Sequence, residues 1–104
     1  MERFEKASIV KGIVENFFEE NSKYTGLDNM NTEDKQHVIQ IGTSILCTKW
    51  EIGYQGGGFV QSVVDNDLNG AISKADGTSM RALKFFCQLM YNVGQPVFTD
   101  TIKN

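Results

Sequence analysis

Apolar residues in the first twenty positions recur at helical spacing. Ile9, Ile13 and Phe17 step by four, and Val10, Val14 and Phe18 run beside them. Glu15, Glu19 and Glu20 occupy the other side or the end, so the pattern predicts an amphipathic helix over residues 3–20. The run NSKYTGLDNMN then breaks the rhythm and reads as a loop over 21–31. A second helix follows, with Asn31 or Thr32 as cap and Glu33 and Asp34 in its first turn, where carboxylates face the positive end of the helix dipole. Val38, Ile41, Ile45 and Ile52 mark its apolar face, Leu46 and Trp50 widen it, and its end is expected near Tyr54 to Gly56. Gly42 and Gly53 each lower helix propensity by up to ~1 kcal/mol relative to alanine; inside a helix, such a residue allows a neighbouring helix to come close.

The third predicted helix starts near Gly58 or Phe59 and carries Val60, Val64, Leu68 and Ala71 as its stripe, with Val63, Ile72 and Ala75 alongside. Asp76-Gly77-Thr78-Ser79 is turn chemistry, with Thr78 or Ser79 as the next cap. A fourth helix is expected from about Met80 to Asn92, with Leu83, Phe86, Cys87 and Met90 inward and Gly94 and Pro96 as its stop. The tail VFTDTIKN has some strand character. No run of four or more residues alternates cleanly as a strand would. The expectation is an all-α fold, a single domain over 1–104 built as a small bundle of about four helices. A bundle of this size often spends an apolar face on self-association, so a homo-oligomer is expected.

Composition narrows the classes. The chain has 104 residues, 40% of them apolar and 22% charged, which is a globular composition. A formal net charge of −3 argues against a nucleic-acid backbone binder, whose footprint is basic. Cys47 and Cys87 lie in apolar helical patterns without a CxxC or Cys/His cluster and read as buried free thiols. No segment approaches the ~18 apolar residues of a membrane span, and MERFEKASIVKG lacks a signal-peptide layout. No membrane association and a cytoplasmic location are expected.

The candidate chemistry gathers in YQGGGFVQSVVDNDLNGAISKAD, residues 54–76. Gly56, Gly57 and Gly58 stand at a helix N-terminus, where free N–H groups favour anions, although no P-loop pattern surrounds them. The alternative is a permissive turn between helices. Asp65, Asn66 and Asp67 interrupt the apolar rhythm. Asn66 and Asp67 either face a ligand or tie their helix to loop backbone, and Asp65 and Asp67 point apart as an i, i+2 pair, unsuited to acid–base work. Lys74, Arg81 and Lys84 either form a local positive pocket or a solvated face. Trp50 and Tyr54, one turn apart, are core packing or a stacking platform for a planar ligand. His37 has no partner at ligand spacing, so neither a metal site nor a catalytic triad is expected.

Gly57-Gly58-Phe59, Val63-Val64, Asn66-Asp67-Leu68, Ala71, Ala75-Asp76 and Tyr91-Asn92 before Pro96 together resemble the shared pattern of a family of small uncharacterised phage and prophage proteins. The resemblance spans residues 50–96; Tyr54-Gln55 stand where that family has a proline. It implies a phage setting, hence the host cytoplasm, and no established activity. The resulting expectation is a non-catalytic, cofactor-free binding protein of counter-defence type. It would sequester a small anionic, nucleotide-derived ligand through Trp50, Tyr54, Gly57, Gly58, Phe59, Asn66, Asp67, Lys74 and Arg81. The alternative is an inhibitor that occludes a host defence or regulatory protein.

Overall fold

The computed structural model describes residues 3–53 and 55–93. These residues form six helices and no strand: α1 (Arg3–Asn21), α2 (Thr32–Lys49), α3 (Gly58–Val64), α4 (Leu68–Lys74), α5 (Gly77–Arg81) and α6 (Leu83–Val93). The all-α expectation holds. The third and fourth predicted helices are each broken in two, so the expected four appear as six. Tyr54, the stop at Gly94 and Pro96, and the tail from 97 lie outside the described residues.

α1 and α2 pack along each other, α3 packs on α2 and α4, and α6 rests across α1, α2 and α3. Of the two lines on α1, Val10, Val14 and Phe18 enter the core, while Ile13 and Phe17 pack at its edge and Ile9 is exposed. The buried line faces α2, where Val14 lies against Gly42, and α6, whose Phe85 meets Phe17 and Phe18 at ring-centroid distances of 5.7 and 5.4 Å. Phe86 turns the other way and meets Phe59 of α3 at 5.7 Å. Adjacent phenylalanines thereby join both halves of the fold. Leu89 completes the buried face of α6, and the inward position expected for Cys87 is corrected: the residue is exposed, with its thiol only partly covered at a crevice.

Gly42 allows the close packing of α1, α2 and α6. A Cβ there would lie 2.9 Å from Val14 Cγ1 and 3.2 Å from Leu89 Cδ2. Only hydrogen fits at that separation, and the helix-propensity loss at Gly42 is exchanged for tight packing.

Helix ends explain the breaks. α2 begins on Asn31, whose side chain accepts from the Asp34 N–H at 2.8 Å. It ends earlier than expected, at Lys49, in a Schellman motif. The Ile52 N–H donates to the Cys47 carbonyl at 2.8 Å and the Glu51 N–H to that of Thr48 at 3.3 Å, with Glu51 in the left-handed region at φ 58. α3 ends in the same way. Asp67 N–H donates to the Ser62 carbonyl at 2.8 Å, Asn66 N–H to that of Val63 at 3.1 Å, and Asn66 has φ 60. α5 starts on Asp76, whose carboxylate accepts from the Ser79 N–H at 2.7 Å; the cap is therefore Asp76, and neither Thr78 nor Ser79.

Candidate functional site

Asn66 and Asp67 form a stop–start joint. Asn66 takes the left-handed position that ends α3, which asparagine tolerates better than most residues. Asp67 then caps α4, its Oδ1 accepting from the Gly70 N–H at 3.0 Å. Of the two roles open to this pair in the sequence, the structure places both residues in backbone work. Beside them is a crevice of about 40 Å³, with Ser62, Ala71, Leu83 and Cys87 also on its wall. Ligand pockets run to roughly 300–1,000 Å³, so this recess is too small to enclose a nucleotide.

The glycine turn is tied to α2. Gly56 N–H donates to Thr48 Oγ1 at 3.0 Å, and Gln61 Nε2 donates to the Gly56 carbonyl at 2.7 Å. A Cβ on Gly56 would stand 2.5 Å from Ser44 Oγ and 2.7 Å from Val60 Cγ1, so the close approach to α2 accounts for this glycine. Gly57 is exposed and caps α3 without a side-chain acceptor. The Lys74 stem lies across Gly58, with Cδ 3.0 Å from where a Cβ would be, and its Nζ donates to buried Ser62 Oγ at 3.3 Å. Lys74 thus lies against Gly58, with Gly57 beside it in the chain.

The remaining nominated residues do not join them. Trp50 is 3% exposed and forms the C-terminal cap of α2, so its ring is core packing and offers no stacking face to a ligand. Phe59 is half-buried against Phe86. Arg81 is exposed at the end of α5. Lys84 lies over the Tyr24 ring at 4.4 Å, next to the α1–α2 connection, while Lys74 is held by α3. These two cations are therefore fixed on different parts of the fold and do not form one pocket.

His37 and Asp76 meet, a pairing that no spacing in the sequence could give. His37 Nε2 stands 3.3 Å from Asp76 Oδ2, which joins α2 to the cap of α5. Hydrogen bonds from the Ser79 backbone and side chain, and then from His37, hold the Asp76 carboxyl below its ordinary range. Burial pushes the Cys47 and Cys87 thiols up, away from the thiolate form. Among the described residues, no three of His, Cys, Asp and Glu converge as metal ligands.

Two surfaces were missed by sequence reasoning. A groove of about 450 Å³ runs between α1 and α2, with Lys11, Glu15, Gln36, Gln40 and Thr43 on its sides and Ile39 at its floor. These polar residues look like ordinary solvated helix faces until the two helices are laid together. The second surface lies on α4 and α6. Leu68 and Ile72, expected inward, are 60% and 44% exposed, and Tyr91 is 88% exposed. The break at residues 65–67 rotates α4 relative to α3, and Leu68 and Ile72 leave the stripe that a continuous helix would bury. The signal for that break was present in the Asn-Asp pair itself.

No family model matches this chain, and no curated protein or solved structure matches it. No helix of the described residues is long and apolar enough to cross a membrane.

Proposed function

We propose that this is a small, non-catalytic binding protein that acts by protein–protein contact through α4 and α6. The observation that carries this reading is the exposure of Leu68, Ile72 and Tyr91 on stretches of α4 and α6 that carry no charged residue of their own. Residues 68–73 and 85–93 contain no Asp, Glu, Lys or Arg, in a chain that is 22% charged. Depletion of charge together with an exposed aromatic is the signature of an interface core. In the phage setting implied by the resemblance, the target is a host defence or regulatory protein. It would be covered either by this face itself or by the outer surfaces of an assembly built through it.

A second reading, sequestration of a small nucleotide-derived anion, is favoured by the position of Lys74 beside the uncapped turn at Gly57 and Gly58. A thermal-shift series with cyclic and linear nucleotides and ADP-ribose derivatives separates the two. A ligand at 100 times its dissociation constant adds ~2.7 kcal/mol, which raises the midpoint by several degrees. That shift, abolished in Lys74→Ala, supports sequestration and sinks the contact reading as the main one. A flat series, together with photo-crosslinking to protein from Ile72 and none from Lys11, supports the contact reading.

A further inference from the structure

We infer that Asn69 is a site of spontaneous deamidation whose reaction is held back by the Asp67 cap of α4. The inference goes beyond the contact reading and stands without it. Asn69-Gly70 is the one Asn-Gly pair in the chain. Asn69 is exposed. Its backbone carbonyl accepts from Ser73 Oγ at 2.8 Å, and among the described residues no hydrogen bond holds its side-chain amide. A free carboxamide followed by a residue without a Cβ lets the next backbone nitrogen reach the side chain.

The reaction needs only water and hydroxide. The Gly70 backbone nitrogen gives its proton to hydroxide and attacks Asn69 Cγ. The new N–C bond closes a five-membered succinimide, the Cγ–Nδ2 bond breaks, and ammonia leaves with a proton from solvent. Water then opens the ring at either carbonyl. One opening gives aspartate; the other gives an isoaspartyl residue, with the main chain routed through Cγ. The net change is one water consumed and one ammonia released, without oxidation or reduction. Either product puts a carboxylate into the stretch 68–73, which carries no charged residue of its own.

The fold supplies the lock. Asp67 Oδ1 accepts from the Gly70 N–H at 3.0 Å, so the nucleophile is held on the cap and keeps its proton. Helical φ and ψ keep the Gly70 nitrogen away from Asn69 Cγ, and ring closure requires leaving them. A Cβ on Gly70 would run into the Asp67 carboxylate and stand 2.8 Å from buried Ser62 Oγ. The close approach of the cap therefore requires the same glycine that makes Asn69 reactive. The lock is a weak one. α4 has seven residues, Ala71 is the one buried among them, and its packing is chiefly on α3. A helix of this length does not sustain itself in water, and each opening of α4 frees the Gly70 nitrogen. Asn21-Ser22 provides the contrast: its amide donates to the Phe17 carbonyl at 3.0 Å, at the end of the 19-residue α1.

Peptide mapping by mass spectrometry over days in mildly alkaline buffer tests this on the whole chain, with and without urea. Conversion at Asn69 should lead that at every other asparagine, give both aspartyl and isoaspartyl products, and run slower in the native chain than in urea. Asp67→Ala should speed it about fivefold, the factor a typical side-chain cap contributes, with Asn21 unchanged. Asp67→Ser restores an acceptor and should return the native rate. Unchanged helical circular dichroism would show that Asp67→Ala still folds; if it does not, wild type with and without urea reads the lock by itself. A native chain that never converts at Asn69 while the urea sample does overturns the site. Equal rates with and without urea overturn the lock. A folded Asp67→Ala with the wild-type rate, or with Asn21 accelerated equally, overturns the cap as the gate.

Discussion

Substituting alanine for glycine at two helical positions should shift stability in opposite directions. Gly12 lies inside α1 with nothing within 4 Å of a built Cβ, so Gly12→Ala adds only helix propensity. The expected gain is up to ~1 kcal/mol. Gly42 lies inside α2 and obtains the same propensity gain, but its Cβ would stand 2.9 Å from Val14 and 3.2 Å from Leu89, both fully buried. Val14 is β-branched with a restricted χ1, so it yields little. Overpacking of this kind costs about 1–3 kcal/mol. Taking about 2 and subtracting the propensity gain leaves Gly42→Ala destabilised by about 1 kcal/mol, and Gly42→Val should lose more. Thermal denaturation followed by circular dichroism reads this as a few degrees up for Gly12→Ala and a few degrees down for Gly42→Ala. If Gly42→Ala gains stability in parallel with Gly12→Ala, the three helices do not meet at Gly42 as described.

Three further outcomes follow from the helix ends and the core. Asp76→Ala should cost about 1 kcal/mol through loss of the α5 cap. Because the folded carboxyl is held below its ordinary range, the wild-type contribution is present above the unfolded pKa and fades as pH falls through the folded one, so an acid titration of stability should show a loss there that Asp76→Asn lacks. Glu51→Gly should stabilise by up to ~1 kcal/mol, since glycine takes the left-handed position without the Cβ penalty; urea midpoints check it. Trp50→Ala should cost about 3–5 kcal/mol as a cavity in the core, seen as global unfolding at a lower urea concentration.

The sequence pattern made the helical class and the core of α2 legible, because Val38, Ile45, Leu46 and Trp50 repeat at helical spacing over an uninterrupted element. It could not distinguish the two lines on α1. Both are equally apolar, and the choice between Val10 and Ile9 is made by how α1 lies on α2 and α6, which only the tertiary fold sets. The α3–α4 break was hidden because Val64, Leu68 and Ala71 continue the helical period across it. Periodicity reports which residues could share a face if the backbone continues, and here Asn66 stops it. For the candidate site, Lys74 lies against Gly58. Trp50, on the apolar face in the pattern, stayed open between core packing and a stacking platform, because a helix-end tryptophan has the same spacing in either case; the structure buries it. The His37–Asp76 contact crosses 39 residues and depends wholly on tertiary packing.

The short second half of the chain has a consequence for motion. α3, α4 and α5 contain 7, 7 and 5 residues. Helices this short are not self-sustaining in water, so α3 and α5 persist only while they rest on α2 and α6, and α4 only while it rests on α3. α1 and α2, at 19 and 18 residues, carry far more of their own stability. Amide exchange in α3–α5 should therefore proceed through partial openings well below the global unfolding free energy, while the buried amides of α2 wait for the whole molecule to open. Whatever covers α4 would suppress those openings, so binding would be felt as slowed exchange along residues 58–81 even where nothing touches them.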